Sequence, residues 1–287
     1  MKLFLLTCFC LIRISFQNAT ISYDCLSMNS EHCSLTNINF NKTEETLIFN
    51  SNIREEVFRV TVSKSSISVL TSDFCKSFRN TEIFKLQSIA LEKINENALE
   101  SCEKLSNFDA MKNYLRYLDE KTFKSNKNLE YLFLSTNKLR CLPVKIFHGL
   151  KKLKELYLSY NNLRFLHPET FSGLTDLRLL SLQSNELLEF DASEVVRHLS
   201  KLNTIHLKYN EIKCSEFQEI LKVLKEKNIT FDRTLTQNDC EPDEEYELRN
   251  SCMMKFEKNE GSKSRKLTKN SVLIAIFCVK ILILQKN

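Results

Sequence analysis

Five histidines and eleven cysteines carry most of the reactive chemistry in this 287-residue chain. The histidines stand at 32, 148, 167, 198 and 206, and none belongs to an HExxH sequence that would set two imidazoles and a general base around zinc. There is no GxSxG turn to expose a serine nucleophile and no CxxC pair to hold a metal. Three glycines in the whole chain exclude glycine-rich phosphate loops, which need backbone without a Cβ close to the phosphates. His148 lies in FHGL where a later stretch has FSGL, so it reads as a turn residue. Glu244 and Glu245 sit in a polar segment, where paired carboxylates are solvated. The residues therefore assemble no catalytic centre, metal site or cofactor site, and the chain reads as a non-enzyme. What remains is thiol chemistry, and cysteines pair in an oxidising compartment.

The N-terminus supplies that compartment. Lys2 is followed by the apolar run Leu3 to Ile12, too short to span a bilayer and of the form of a secretory signal peptide, with cleavage near 15–20. We take residues 1–17 as the signal. The formal charge of +5 also belongs to the ends. Lys2 and Arg13 account for +2, and residues 259–287, with six basic residues against Glu260, for +5. Residues 18–258 are left at −2, a balance unsuited to wrapping nucleic acid.

The elements that position side chains come from a repeat. LEYLFLSTNKLRCLPVKIFHGL (129–150) recurs as LKELYLSYNNLRFLHPETFSGL (153–174), shifted by 24 residues. Asn113, Asn137, Asn161 and Asn185 keep that step, Asn210 follows at 25, and Phe123, Phe147 and Phe171 share it. Seven copies start at 57, 81, 105, 129, 153, 177 and 202, the first three weaker, with Ser65 and Ile89 in place of asparagine. A helix repeating every 3.6 residues would not hold this phase. Leu132 and Leu134, two apart, point to one face of a strand. Each unit is too small to bury that face alone, so units must stack. The asparagine turns the chain out of the strand, and the phenylalanine fills the far side, where short helical turns are expected.

The unit LxxLxLxxNxLxxLxxxxFxxL resembles the leucine-rich repeat over residues 57–213. The resemblance implies an α/β solenoid: a curved parallel sheet on the concave face, short helical turns on the convex face and a cap at each end. The expected layout is a cap at 18–56, repeats at 57–213, a helix-bearing cap at 214–256, a polar linker at 257–271 and a hydrophobic tail at 272–287. Setting aside Cys8, Cys10 and Cys278 leaves eight cysteines. Cys25 and Cys33 precede the first repeat and read as a cap disulfide. After Cys214, Phe217, Ile220, Leu221 and Leu224 fall on one helical face, and Cys240 follows. That arrangement resembles the C-terminal cap of secreted leucine-rich-repeat proteins and implies a Cys214–Cys240 bond. Cys75 and Cys102 sit on adjacent coils, either joined or buried as two thiols. Cys141 and Cys252 are left as candidates for a disulfide-linked oligomer.

In such a solenoid the variable strand positions line the concave face. They place Tyr131, Phe133, Tyr157, Tyr160 and Leu179 in one aromatic-rich group, with His206 and Tyr209 further along, as candidate contacts for a protein ligand. The sequons at Asn41 and Asn228 fall in the caps and leave that face clear. Residues 272–284 are apolar but for Lys280 and would make a helix of about 20 Å, against a hydrocarbon core of about 30 Å. The tail reads as a lipid-anchor (GPI) signal, an interfacial segment or a tilted span. The whole resembles insect secreted leucine-rich immune proteins and cell-surface leucine-rich-repeat proteins. It implies an extracellular, secreted or surface-attached protein-binding module of innate immunity, or alternatively a membrane-anchored adhesion or receptor protein.

Overall fold

The computed structural model describes residues 20–23, 32–40, 46–49 and 57–232. The signal segment, Cys25, Asn41, Cys240, Cys252, the linker and the tail lie outside the described residues. Strands in chain order begin β1 (Thr20–Tyr23), β2 (His32–Thr36), β3 (Asn39–Phe40), β4 (Thr46–Phe49), β5 (Arg59–Ser63), β6 (Ser66–Ile67), β7 (Val69–Leu70) and β8 (Ile83–Lys85). They continue with β9 (Lys93–Ile94), β10 (Asn107–Asp109), β11 (Tyr131–Phe133), β12 (Glu155–Tyr157), β13 (Leu179–Ser181), β14 (Thr204–His206) and β15 (Thr230–Phe231). Helices α1 (Ser72–Ser77), α2 (Ala192–His198) and α3 (Cys214–Glu226), with a 3-10 turn at Pro168–Phe171, lie between strands.

Nine of these strands form one parallel sheet in the order β15-β14-β13-β12-β11-β10-β8-β5-β2. Each strand pairs with the next coil of the chain, which makes the molecule a leucine-rich-repeat solenoid. The sheet reaches one strand beyond the seven repeats at each end. At the start, Cys33 and Leu35 alternate inward on β2 as the leucines do elsewhere, and Cys33 is disulfide-bonded. At the finish, β15 follows α3 and closes the edge.

Burial follows the period-2 alternation of a strand with one face covered. Leu132, Leu156, Leu180 and Ile205 lie side by side and fully buried, while their neighbours on either side mostly keep part of their surface open. Burying a side chain of this size contributes roughly 1.5–3 kcal/mol. In the early coils phenylalanine replaces leucine at two such places. Phe84 and Phe108 pack in a line with Phe74 and Phe123, centroids about 6 Å apart. Phe108 is matched by the small Ala110 two residues on, which keeps the core volume level.

The asparagines act as a second ladder. Asn161 Oδ1 accepts from the Leu139 amide at 3.1 Å, and its Nδ2 donates to the Leu134 and Leu158 carbonyls at 3.1 and 3.0 Å. Asn113, Asn137, Asn185 and Asn210 repeat the pattern with their own neighbours. The backbone reaches this geometry through the preceding residue. Asn37, Lys64, Ser88, Lys112, Thr136, Tyr160, Ser184 and Tyr209 all adopt the left-handed region, φ between 47° and 60°. Ile89 stands in the asparagine position and has no side-chain amide. Asn113 accepts from both the Ile89 and Leu91 backbone N–H groups. In this irregular stretch Cys75 and Cys102 are joined, their Cα atoms 5.1 Å apart.

Candidate open-face binding site

Two rows of side chains stand on the open face of the sheet. One runs Asn107, Tyr131, Glu155, Leu179, Thr204, and the other Asp109, Phe133, Tyr157, Ser181, His206. Strand pairing sets neighbours in each row one strand spacing apart, about 4.8 Å. That spacing suits aromatic stacking, and Phe133 and Tyr157 stack with centroids 4.9 Å apart and planes 18° apart. Both rings keep part of their surface exposed.

The surroundings fix the rings. The Tyr157 hydroxyl donates to Glu155 Oε2 at 2.8 Å. Burial first, then this carboxylate, pushes the phenol up to about 12, so it remains a donor throughout the physiological range. The Lys154 ammonium donates to Glu130 Oε2 at 2.6 Å and lies 5.9 Å from the centre of the Tyr131 ring. Beside Tyr157 the surface drops to Ser181, buried and 2.5 Å from the Ser159 hydroxyl. Asp109 borders Phe133 on the other side. Burial raises its carboxyl above the usual range, against the opposing pull of the Met111 amide, Lys85 and Lys112.

The structure brings Phe133 and Tyr157 into contact and sets Tyr131 beside Lys154. Leu179 shares a row with Tyr131 but is separated from it by Glu155. Tyr160 and Tyr209, 54% and 65% exposed, project from left-handed positions past the strand ends. His206 lies towards the C-terminal edge. Its Nδ1 is 2.7 Å from Asp232 Oδ1, and Asp232 Oδ2 accepts from the Leu207 and Lys208 amides at 3.2 Å each. β15 pairs only with Thr204 and Ile205, and the Asp232 carboxylate meets the two amides just beyond that pairing. Sequence reasoning passed over Glu155, Glu130 and Lys154, although the 24-residue register already places Glu155 between Tyr131 and Leu179. Cys141 is half-exposed, and Asn228 is exposed at the end of α3.

The leucine rich repeat family model matches residues 142–187. No curated protein sequence matches the chain. Among solved structures, an LRIM1/APL1C complex is 27% identical over 67% of this chain and 35% of that one, with a TM-score of 0.62. The APL1 leucine-rich repeat domain is 27% identical over 68% of this chain and 50% of that one, with a TM-score of 0.60. A TLR13–ssRNA13 complex, 23% identical over 59% of this chain and 26% of that one with a TM-score of 0.52, shares the fold. The chain spans between a third and a half of the length of the first two. Strand order, asparagine ladder and these likenesses together make the fold that of a leucine-rich-repeat solenoid.

Proposed function

We propose that the chain is an extracellular recognition protein of the innate-immune type, which binds a protein partner on the open, concave face of its sheet. The observation that carries the reading is the Phe133–Tyr157 stack, held by Glu155 and left partly exposed where the solenoid does not need it for packing. Rigid aromatic pairs of this kind are what interface hot spots are made of. The LRIM1/APL1C structure, a complex of two proteins, supports a protein as the class of ligand. The signal sequence and cysteine caps support an extracellular site of action, as a secreted or surface-attached protein. The apolar tail at 272–284 favours the second reading, a membrane-anchored adhesion or receptor protein. Release of the protein from cells by a phosphatidylinositol-specific phospholipase would favour this second reading.

A photo-crosslinking residue at position 133 tests the binding face. It should label a discrete protein from extracellular fluid or cell surfaces, while the same group at exposed Lys145, on the far side of the coil, should not. Equal labelling from both positions contradicts the assignment.

A further inference from the structure

A second surface lies on the flank, just past the asparagine ladder. The amides of Tyr114, Lys138, Asn162 and Glu186 donate to the carbonyls of Leu91, Leu115, Leu139 and Leu163 at 2.7 to 2.9 Å. These bonds stack four extended segments directly over one another. In each segment the inward residue is a buried leucine, and its two neighbours face out. One outward column is Tyr114, Lys138, Asn162, Glu186. The other is Arg116, Arg140, Arg164, Leu188. Coil stacking sets members of a column about 5 Å apart.

The flank shows once how its charge is meant to be met. Arg164 Nε donates to Glu186 Oε2 at 2.7 Å, from one coil to the next, and Asn162 Nδ2 donates to the other oxygen of Glu186 at 2.6 Å. One and two coils earlier the carboxylate is missing. The residue standing to Arg140 as Glu186 stands to Arg164 is the neutral Asn162, and the one standing to Arg116 is Lys138, a like charge. Among the described residues no ion pair joins Arg116, Lys138 or Arg140 to a carboxylate. Lys138 instead lies over the Tyr114 ring, 4.5 Å from its centre. Tyr114 and Tyr117 are 48% and 38% exposed beside it. Glu92, one coil before Arg116, and Glu186 bound the patch at its two ends.

We propose that this flank binds a sulfated polysaccharide. Two guanidiniums one coil apart bracket a tetrahedral oxyanion and bond it through paired N–H groups. The exposed tyrosine rings offer flat faces for sugar rings. Apart from Leu188, the outward side chains here are charged, polar or tyrosine, rather than the apolar core that concentrates affinity in protein interfaces, so the attraction of the patch is electrostatic. The chain body, at −2, lacks the general basicity that nucleic-acid wrapping uses. This site is separate from the open face and does not depend on what binds there.

The test uses the full secreted chain and a fluorescent heparin oligosaccharide, titrated at several salt concentrations. Wild type should bind, and more weakly as salt rises. Arg116→Glu with Arg140→Glu should weaken binding at least about tenfold, while Lys222→Glu with Lys225→Glu, an equal charge change on exposed α3 residues, should change it less than about twofold. Phe133→Ala with Tyr157→Ala should leave it unaltered. The same oligosaccharide stripped of sulfate should fail to bind. Equal losses from the two charge-swapped variants would reduce the effect to net charge and overturn the proposal. So would undiminished binding of the desulfated sugar, or equally tight binding of a single-stranded DNA of matched charge.

Discussion

Phe133 and Tyr157 are 24 residues apart in sequence and stacked ring on ring in space, 4.9 Å between centroids. The distance is the spacing of two paired strands, so the contact is a direct consequence of the repeat length. Such pairs contribute roughly 0.5–1.5 kcal/mol beyond the area they bury. A double-mutant cycle with Phe133→Leu and Tyr157→Leu, read by urea unfolding, should return a coupling energy in that range. Zero coupling would mean the rings do not hold each other in place.

Asn161 and Asn162 are neighbours with opposite duties. Asn161→Leu removes the acceptor for the Leu139 amide and the donor for two carbonyls, all buried. Unpaired buried groups cost roughly 1–3 kcal/mol each, so this variant should lose 3 kcal/mol or more by this estimate. Asn162→Leu breaks one part-buried bond to Glu186 and should lose less than about 1 kcal/mol. Equal melting temperatures would contradict the ladder.

Much of this was written in the sequence. The 24-residue phase assigns the seven repeat strands of the large sheet, β5, β8 and β10 to β14, and says which residues point inward, because a one-residue slip would turn the leucines out. The ends were less legible. Cys33 on β2 stands where the repeat has leucine, and Ile38 just past that strand stands where it has asparagine, so the pattern search ends before a strand the sheet still includes. β15 has only two residues and follows a helix. At the site, the stacked pair is implied by register alone. The bonds of Tyr157 to Glu155 and of Lys154 to Glu130 depend on side-chain directions that spacing does not specify.

The left-handed residues leave room for improvement. Thr136 is β-branched, and φ is 58° there. Asparagine enters this region more readily and already occupies the equivalent place at Asn37. Thr136→Asn should raise stability by about 0.5–1 kcal/mol, measured by urea unfolding. A loss would mean that the threonine side chain has a packing role on the face.

The Cys75–Cys102 bond closes a loop with a sequence separation of 27 in the stretch where Ile89 interrupts the asparagine ladder. Changing both cysteines to alanine should cost about 3 kcal/mol. Unfolding of the double variant at an unchanged urea midpoint would show that the buried side chains, rather than the crosslink, hold these coils.

Asp109 gives a pH signature. Burial raises its folded carboxyl above the unfolded value, so the ionised group costs stability at neutral pH and the cost fades as pH falls through the folded value. Asp109→Asn, which keeps an acceptor for the Met111 amide, should melt higher than wild type near pH 7 and alike near pH 4. The reverse order at pH 7 would show Lys85 and Lys112 outweighing burial.

We propose that a protein partner binds on the open face around the aromatic stack. The most direct measurement is the affinity of the captured partner for wild type and for Phe133→Ala with Tyr157→Ala, both checked for an unchanged fold. The double variant should lose about 2 kcal/mol or more of binding free energy, roughly thirtyfold in affinity. Full affinity in a folded double variant would contradict it and move the binding site to the caps or the convex face.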